Sequence, residues 1–459
     1  MQVKIVVGGQ WGDEAKGKIT DILAQDVDVI GRYQGGQNAG HTVIHKGKIH
    51  ALHAVPSGIF HPYVINVIGN GCVSDLTKLR KELKLLADDG IDVSNLRISK
   101  QAHILTAYHQ ALDAYTEHLR GKENIGTTMT GIGPGYSDKA MKYGIRFEDF
   151  EKPEIARKKF LTRLSYPEVQ AALEFTGTKI DEKYFDEQIT LFNDIINHGV
   201  SLVNLPYFYR DMEDELRRDV KVIAEGAQGT FLDVDYGTYP FSTSSNSGAP
   251  GAFSGLGLPA NAIVTDVIGI FKAYNTRVGS GPFPTELGDK ESLSRKYGMA
   301  SNEFNELHRK VINGVANNAE IGCYLRAVGC EQGATTGRPR RTGWHDFFMD
   351  EFAVLYNGIT SLAITKLDVL DEVPAIKYCI GHELNKTRLK ELSPTDDMWN
   401  VTPVYESVPG WLTKTSDIRQ YDDLPANTKA YLEEAQKRTG RPINFISVGP
   451  GPEHTIIRK

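Results

Sequence analysis

Val3-Lys4-Ile5-Val6-Val7-Gly8-Gly9-Gln10-Trp11-Gly12-Asp13-Glu14-Ala15-Lys16-Gly17-Lys18 is a hydrophobic strand that runs straight into a glycine-rich turn. Glycines allow the sharp reversal, and Ile22 and Leu23 just beyond mark a short helix. From Gly12 the spacing is G-x-x-x-x-G-K, that of a loop whose backbone N–H groups approach phosphate oxygens while the lysine adds a point charge. Ile19 stands where such loops place the Ser or Thr that holds magnesium, so a metal here needs another ligand, and Asp13 is the candidate. By itself the string is equally that of a glycine-rich turn.

A second strand near Val27–Ile30 starts an alternating β/α pattern, which predicts an α/β fold on a mostly parallel sheet. Val64–Ile68, Val220–Ala224, Leu362–Ile364 and Ile443–Ser447 continue it as core strands. Leu76, Leu79, Leu83 and Leu86 line one helix stopped by Gly90, and Tyr108, Leu112, Tyr115 and Leu119 another stopped by Gly121. These stripes are packing surfaces. Residues 151–218 are charged and helical, a peripheral layer, and 288–318 suggest an insertion, both within a single large domain over 1–459.

With 52 basic and 58 acidic residues scattered without long blocks, the net charge of −6 points away from nucleic acid and membrane surfaces. No apolar run reaches membrane-spanning length and the first residues enter a strand without a leader, so a cytoplasmic location is expected. Cys72, Cys323, Cys330 and Cys379 are too few for a disulfide framework and are read as reduced.

The polar loops carry the chemistry. Arg32–Thr42 is dense in glycine, amide and imidazole groups, with His41 near its end; alone, that histidine is more simply a surface or core residue. Ile125–Gly135 is rich in small and hydroxyl residues suited to wrapping a phosphate, and Asp138, Lys139 and Lys142 follow. Glu225–Gly229, Tyr239–Asn246 and Phe271–Gly279 read as polar loops at strand ends, where open α/β sheets place ligands. Arg338, Arg340 and Arg341, beside Thr335 and Thr336, predict an anion site, because guanidinium forks bind carboxylates and phosphates bidentately. Thr365-Lys366-Leu367-Asp368 has the x-K-x-D form in which an aspartate accepts from the N1–H and 2-amino group of guanine.

The strings GQWGDEAKGK, RYQGGQNAGHT, IGTTMTGIGP, EGAQGTFLDVDYGTYPF, KAYNTRVGSGPFPTE, GATTGRPRRTGW and TKLDVLD occur in the order of the adenylosuccinate synthetase family, which the chain resembles from residue 3 to about 457. The match is weak only over roughly 150–218 and 288–318. The resemblance implies a P-loop-like domain with peripheral helical layers, active as a homodimer, joining L-aspartate to IMP with GTP. It makes Asp13 the base on N1 of IMP, His41 the donor to the departing GDP, and Gln228 a holder of the purine. GTP contacts fall on Gly12, Gly17, Lys18, Gly40, His41, Thr42, Arg340, Lys366, Asp368, Ser447 and Gly449. IMP contacts fall on Asp13, Lys16, Asn38, Thr128, Gln228, Thr243 and Arg338, with Lys142 at the position from which a partner subunit meets the IMP phosphate. Thr335, Thr336, Arg338 and Arg340 match the aspartate loop, and Asp13 with the Gly40 carbonyl the Mg2+ ligands.

Departures from the family pattern are Ala15 in place of glycine, Gln37 where histidine or asparagine varies, Met129 and Thr130 where glycine or a cation is usual, and Lys142 in place of a guanidinium fork. Two other readings stand beside IMP ligation. One is a phage-type relative that adds aspartate to dGMP; the other is a non-catalytic GTP-binding switch, which would have no use for Asp13, His41 and the arginine loop together.

Overall fold

The computed structural model describes residues 1–333, 337–394 and 396–458, and of Glu182, Lys290 and Asp396 the backbone only. The chain forms two compact units, each discontinuous in sequence: Met1–Val6, Thr20–Ala227 and Thr243–Thr265 make the first, and Val7–Ile19, Gln228–Ser242 and Asp266–Lys459 the second.

In the first unit the strands lie in the order Ser201–Val203, Leu96–Ser99, Ile65–Ile68, Val29–Arg32, Lys221–Glu225, Gln2–Gly8, and every pairing is parallel. A parallel sheet covered on both faces needs runs of apolar residues rather than alternation. Val29, Ile30, Val67, Ile68, Leu96 and Ile98 supply them, all fully buried. Helix Leu76–Asp88 buries Leu76, Leu79, Leu83 and Leu86, and its N-terminus is capped by the Asp75 side chain accepting from Lys78 N at 3.1 Å. Residues 153–216 hold four helices, Pro153–Leu164, Pro167–Thr176, Glu182–Asn197 and Leu205–Leu216, with Phe160, Phe185 and Phe192 buried among them.

Two local expectations change in this unit. His41 and Thr42 open the strand His41–His45, which pairs antiparallel with Lys48–Leu52. The connecting Lys46 and Gly47 have φ of 49° and 76°, the positive pair that matches a hairpin's twist. Gly133, Pro134 and Gly135, read as loop, lie in the first turns of helix Ile132–Met141, where N–H groups lack intrahelical acceptors and a proline is tolerated.

In the second unit Ile263–Lys272 pairs in parallel with Ser361–Thr365, and that strand with Ile443–Ser447, while Thr455–Ile457 closes the edge antiparallel. A smaller sheet joins His345–Asp346 in parallel to Ala375–Leu384, which pairs antiparallel with Thr402–Pro409. Phe271–Gly279 is not a loop: Lys272 ends a strand and Asn275–Arg277 is another, antiparallel to Arg341–Gly343, with Lys272 and Arg277 buried. Residues 288–318 include helices Lys290–Ser294 and Asn302–Ile312, the latter burying Phe304, Leu307 and Val311. Both units are thus α/β: the main sheet of the first is parallel throughout, and the second adds antiparallel pairs to its three parallel core strands. No helix among the described residues is long and apolar enough to cross a membrane. The four cysteines are free thiols, and only Cys330 is exposed.

Candidate active site

The opening loop belongs to the second unit. Gly9 N donates to Ile270 O at 2.8 Å, and a Cβ on Gly9 would lie 1.9 Å from the Phe271 ring, so only glycine lets this strand end sit there. The turn then runs through three positive φ values: 91° at Gly12, 61° at Asp13 and 70° at Ala15. Ala15 therefore occupies a left-handed conformation that glycine adopts more cheaply, which gives its departure from the family pattern a definite backbone cost.

Glu14 is the residue that sequence reading overlooked here. Its carboxylate is fully buried and accepts from Gly12 N at 2.7 Å, Gln10 N at 3.2 Å and Lys16 Nζ at 2.6 Å. Lys16 Nζ also donates to the Gln228 carbonyl. Two of the loop's N–H groups thus hold the turn itself in shape. Ile19, in place of the hydroxyl residue, is fully buried. The Asp13 side chain is instead 31% exposed, with Oδ2 accepting from Arg340 Nε at 2.6 Å.

Lys18 reaches the ends of the parallel strands, donating to Ser447 Oγ at 2.7 Å and Gly449 O at 2.8 Å. Burial lowers its ammonium pKa to about 8, against the opposing pull of Asp368. Asp368 in turn is raised, first by burial, with Lys366 and Lys18 opposing. Lys366 takes φ of 56° and donates to Glu331 Oε1 at 2.8 Å and Gly329 O at 2.5 Å. Glu331 also binds Lys272 Nζ at 2.9 Å and Tyr274 OH at 2.5 Å. Burial alone would raise this carboxyl, but Lys272 and Lys366 hold it at about 2. Glu331 follows two small residues in the sequence and carried no signal there.

The three expected arginines have different fates. Arg340 meets Asp13, Arg338 is exposed, and Arg341 is committed to Glu286, with Nε to Oε1 at 2.6 Å. Arg341 lies on the strand Arg341–Gly343, whose pairing with Asn275–Arg277 sets it opposite Arg277, so it drops out of the anion cluster. Thr335 and Thr336 lie outside the described residues.

In the first unit His41 Nδ1 lies 2.6 Å from Glu225 Oε1. Glu225 also accepts from Ser57 Oγ at 2.5 Å and Ser57 N at 2.8 Å. Burial pushes this carboxyl up, but His41 and Arg32 hold it at about 2. The pair fixes which ring nitrogen of His41 is turned to the carboxylate. Gln34 holds the glycine loop through Nε2 to Ala227 O at 2.6 Å and Oε1 from Ser245 Oγ at 2.8 Å. Gln37 is buried and brackets the Asp75 backbone, accepting from its N–H at 3.0 Å and donating to its carbonyl at 3.2 Å. That departure is thus a packing clamp. Asn38, Gly40 and Thr243 are partly buried, whereas Thr42 and Thr128 are exposed. Thr128 Oγ1 lies 2.7 Å from Thr130 Oγ1. Met129 has φ of 55°, and Lys142 caps helix Ile132–Met141 with φ of 66°. Lys142 is exposed. Asp138, by contrast, is buried structure, paired with Arg163 at 2.9 Å.

A family model described as adenylosuccinate synthetase matches residues 5–456. The chain belongs to the adenylosuccinate synthetase family. It is 43% identical to an adenylosuccinate synthetase of Mycobacteroides abscessus, covering 100% of this chain and 99% of the relative. It is 40% identical to that of Halothermothrix orenii, covering 99% and 98%. A fully ligated adenylosuccinate synthetase from Plasmodium falciparum matches with TM-score 0.85 and 33% identity over 100% of both chains. The cyanophage S-2L succinoaminodeoxyadenylate synthetase matches with TM-score 0.56 at 17% identity, over 99% of this chain and 95% of that one, a likeness of fold alone.

Proposed function

We propose that this protein ligates L-aspartate to C6 of IMP with GTP, giving adenylosuccinate, GDP and phosphate. The observation that carries the reading is the contact between Asp13 and Arg340, residues 327 positions apart that join the loop to the arginine segment. Asp13 takes the N1 proton of IMP, so that O6 gains enolate character and attacks the γ-phosphate of GTP. His41, oriented by Glu225, donates to the departing GDP, and Gln228 holds the purine. The aspartate amine then attacks C6 of 6-phosphoryl-IMP; the C–O bond breaks, phosphate leaves, and the amine's proton is lost.

Lys18 with Gly12, Gly17 and Thr42 serves the GTP phosphates, and Lys366, Asp368, Ser447 and Gly449 the guanine. Lys16, Asn38, Thr128, Thr243 and Arg338 serve IMP, and Arg338 and Arg340, with Thr335 and Thr336, clamp the aspartate carboxylates. Asp13, a partly exposed carboxylate, and the Gly40 carbonyl would hold Mg2+, which takes hard oxygen donors of this kind. Magnesium supplies neutralisation of phosphate charge. The active species is a cytoplasmic homodimer in which the exposed Lys142 serves the IMP phosphate of the partner.

The test is to incubate the protein with GTP, magnesium and aspartate, and with either IMP or dGMP, following purine absorbance and free phosphate. Turnover on IMP, with GTP hydrolysis requiring both IMP and aspartate, is expected; faster turnover on dGMP or uncoupled hydrolysis overturns the reading. Sedimentation with and without nucleotide checks the dimer.

A further inference from the structure

Away from these residues, the small sheet of the second unit brings an acid, a thiol and an imidazole together. The parallel pairing of His345–Asp346 with Ala375–Leu384 sets Asp346 opposite Cys379. His382 is three residues further on, and in an unbroken strand residues three apart face opposite sides. The pairing with Thr402–Pro409 shifts register between Cys379 and Gly381, and such a bulge absorbs one residue and returns His382 to the side of Cys379. Asp346, Cys379 and His382 are all fully buried, and one donor atom from each lies within 4.8 Å of the others.

Two of these donors are paired with each other, and the Cys379 thiol donates to Gly381 O at 3.2 Å. Asp346 Oδ2 meets His382 Nε2 at 2.7 Å, while Oδ1 is oriented by Met349 N at 3.2 Å. His382 Nδ1 is buried with no hydrogen-bond partner among the described residues. Asp350, also buried, meets His345 Nε2 at 2.6 Å. Neither carboxylate has a lysine or arginine partner among the described residues; their ion-pair partners are His382 and His345. A carboxylate buried against a histidine alone has no permanent counter-charge, and a dication offsets that cost.

We propose that Asp346, Cys379 and His382 form a buried binding site for zinc or a similarly thiophilic divalent transition metal. One thiolate, one imidazole and one carboxylate suit tetrahedral zinc and not magnesium. On binding, the Cys379 S–H bond breaks, its electron pair goes to the metal and its proton to solvent. The fourth position is open to water. Burial keeps substrate away, so the metal ties the two strands together rather than serving the ligation.

The experiment uses the full chain carrying Cys330→Ser, which removes the one exposed thiol. Elemental analysis after dialysis is expected to give one zinc per chain. After stripping, equimolar Co2+ is expected to give tetrahedral visible bands and a near-ultraviolet thiolate band. Cys379→Ser removes the thiolate band, and His382→Gln weakens Co2+ binding roughly 100-fold. A strong chelator lowers the melting temperature of the parent by roughly 3 °C and leaves that of His382→Gln unmoved. Trace metal with no Co2+ spectrum in the parent overturns the site without needing any variant, as does an unchanged thiolate band in Cys379→Ser. Ligation of IMP in the parent is read separately and does not bear on this outcome.

Discussion

Glu225 in the first unit and Glu331 in the second are alike in burial and unlike in company. Each lies just at or beyond core structure, each would be raised by burial, and each is held at about 2 by cationic neighbours. Glu331 is enclosed by the Lys272 and Lys366 amino groups and the Tyr274 hydroxyl. Glu225 faces His41, whose imidazole can change charge. A carboxylate among lysines builds a rigid floor; one against an imidazole orients a group that can donate a proton. Asp13 stands apart from both, because it is partly exposed and its partner Arg340 belongs to the segment proposed to clamp aspartate.

The largest effect separates Asp13 from the two buried acids. Asp13→Ala is expected to cut phosphoryl transfer by a factor of about 10³ or more while the melting temperature stays within a degree or so. Near-normal turnover would remove Asp13 from the proposed chemistry. Next, Glu331→Gln is expected to cost roughly 3–5 kcal/mol of stability, since it leaves Lys272 buried without its counter-charge. Glu225→Gln is expected to lower kcat by about 10²-fold, with a smaller loss of stability. Denaturant unfolding and steady-state rates on the same two variants decide whether the distinction holds; equal kinetic losses would erase it.

Acid should act on both sites together. Folded values of about 2 against the ordinary 4.5 mean that the stability these carboxylates contribute is complete above about pH 4.5 and lost as pH falls toward 2. Unfolding free energy measured across that range should fall less steeply in Glu331→Gln than in the parent. Lys18 gives the opposite limb. Its value of about 8, below the ordinary 10.5, means that its charge is lost as pH rises through 8, so kcat/KM for GTP should decline above that pH. The same depression relieves a destabilising buried charge between pH 8 and 10.5, so Lys18 contributes relatively more to stability there. Lys18→Arg should move the kinetic decline to higher pH, and an unmoved profile would assign it to another group.

The smallest effect tests the loop backbone. Ala15 has φ of 70°, and Ala15→Gly relieves a left-handed alanine while adding freedom to the unfolded chain, a net gain of up to about 1 kcal/mol. A loss of stability would show that the Ala15 methyl packs in a way that outweighs the strain.

Much of the fold was legible because its signals are local. Apolar runs marked Lys221–Glu225, Ser361–Thr365 and Ile443–Ser447, and the leucine stripe marked Leu76–Asp88. The polar segments misread as loops were those whose periodicity is hidden by long-range pairing. Asn275–Arg277 is a strand because Arg341–Gly343 lies beside it, and His41–His45 because Lys48–Leu52 does. Among the site residues, glycine spacing and the order of the motifs pointed to Asp13, His41, Arg340 and Asp368. Glu14 and Glu331 stayed invisible and Glu225 was marked only as part of its loop, since a glutamate in sequence does not reveal whether it will be solvated or enclosed.

The sequence by itself determined the apolar core strands, the amphipathic helices, the turn chemistry of the opening loop and membership in the family, because periodicity and residue spacing act over a few positions. Only the tertiary structure decided which charges meet. Arg340 goes to Asp13 and Arg341 to Glu286, though the two arginines are neighbours on the chain. A one-residue bulge places His382 on the side of Cys379. Ion pairing and burial depend on which surfaces are brought within a few ångströms, and that distance is set by packing across hundreds of residues rather than by any local run of letters.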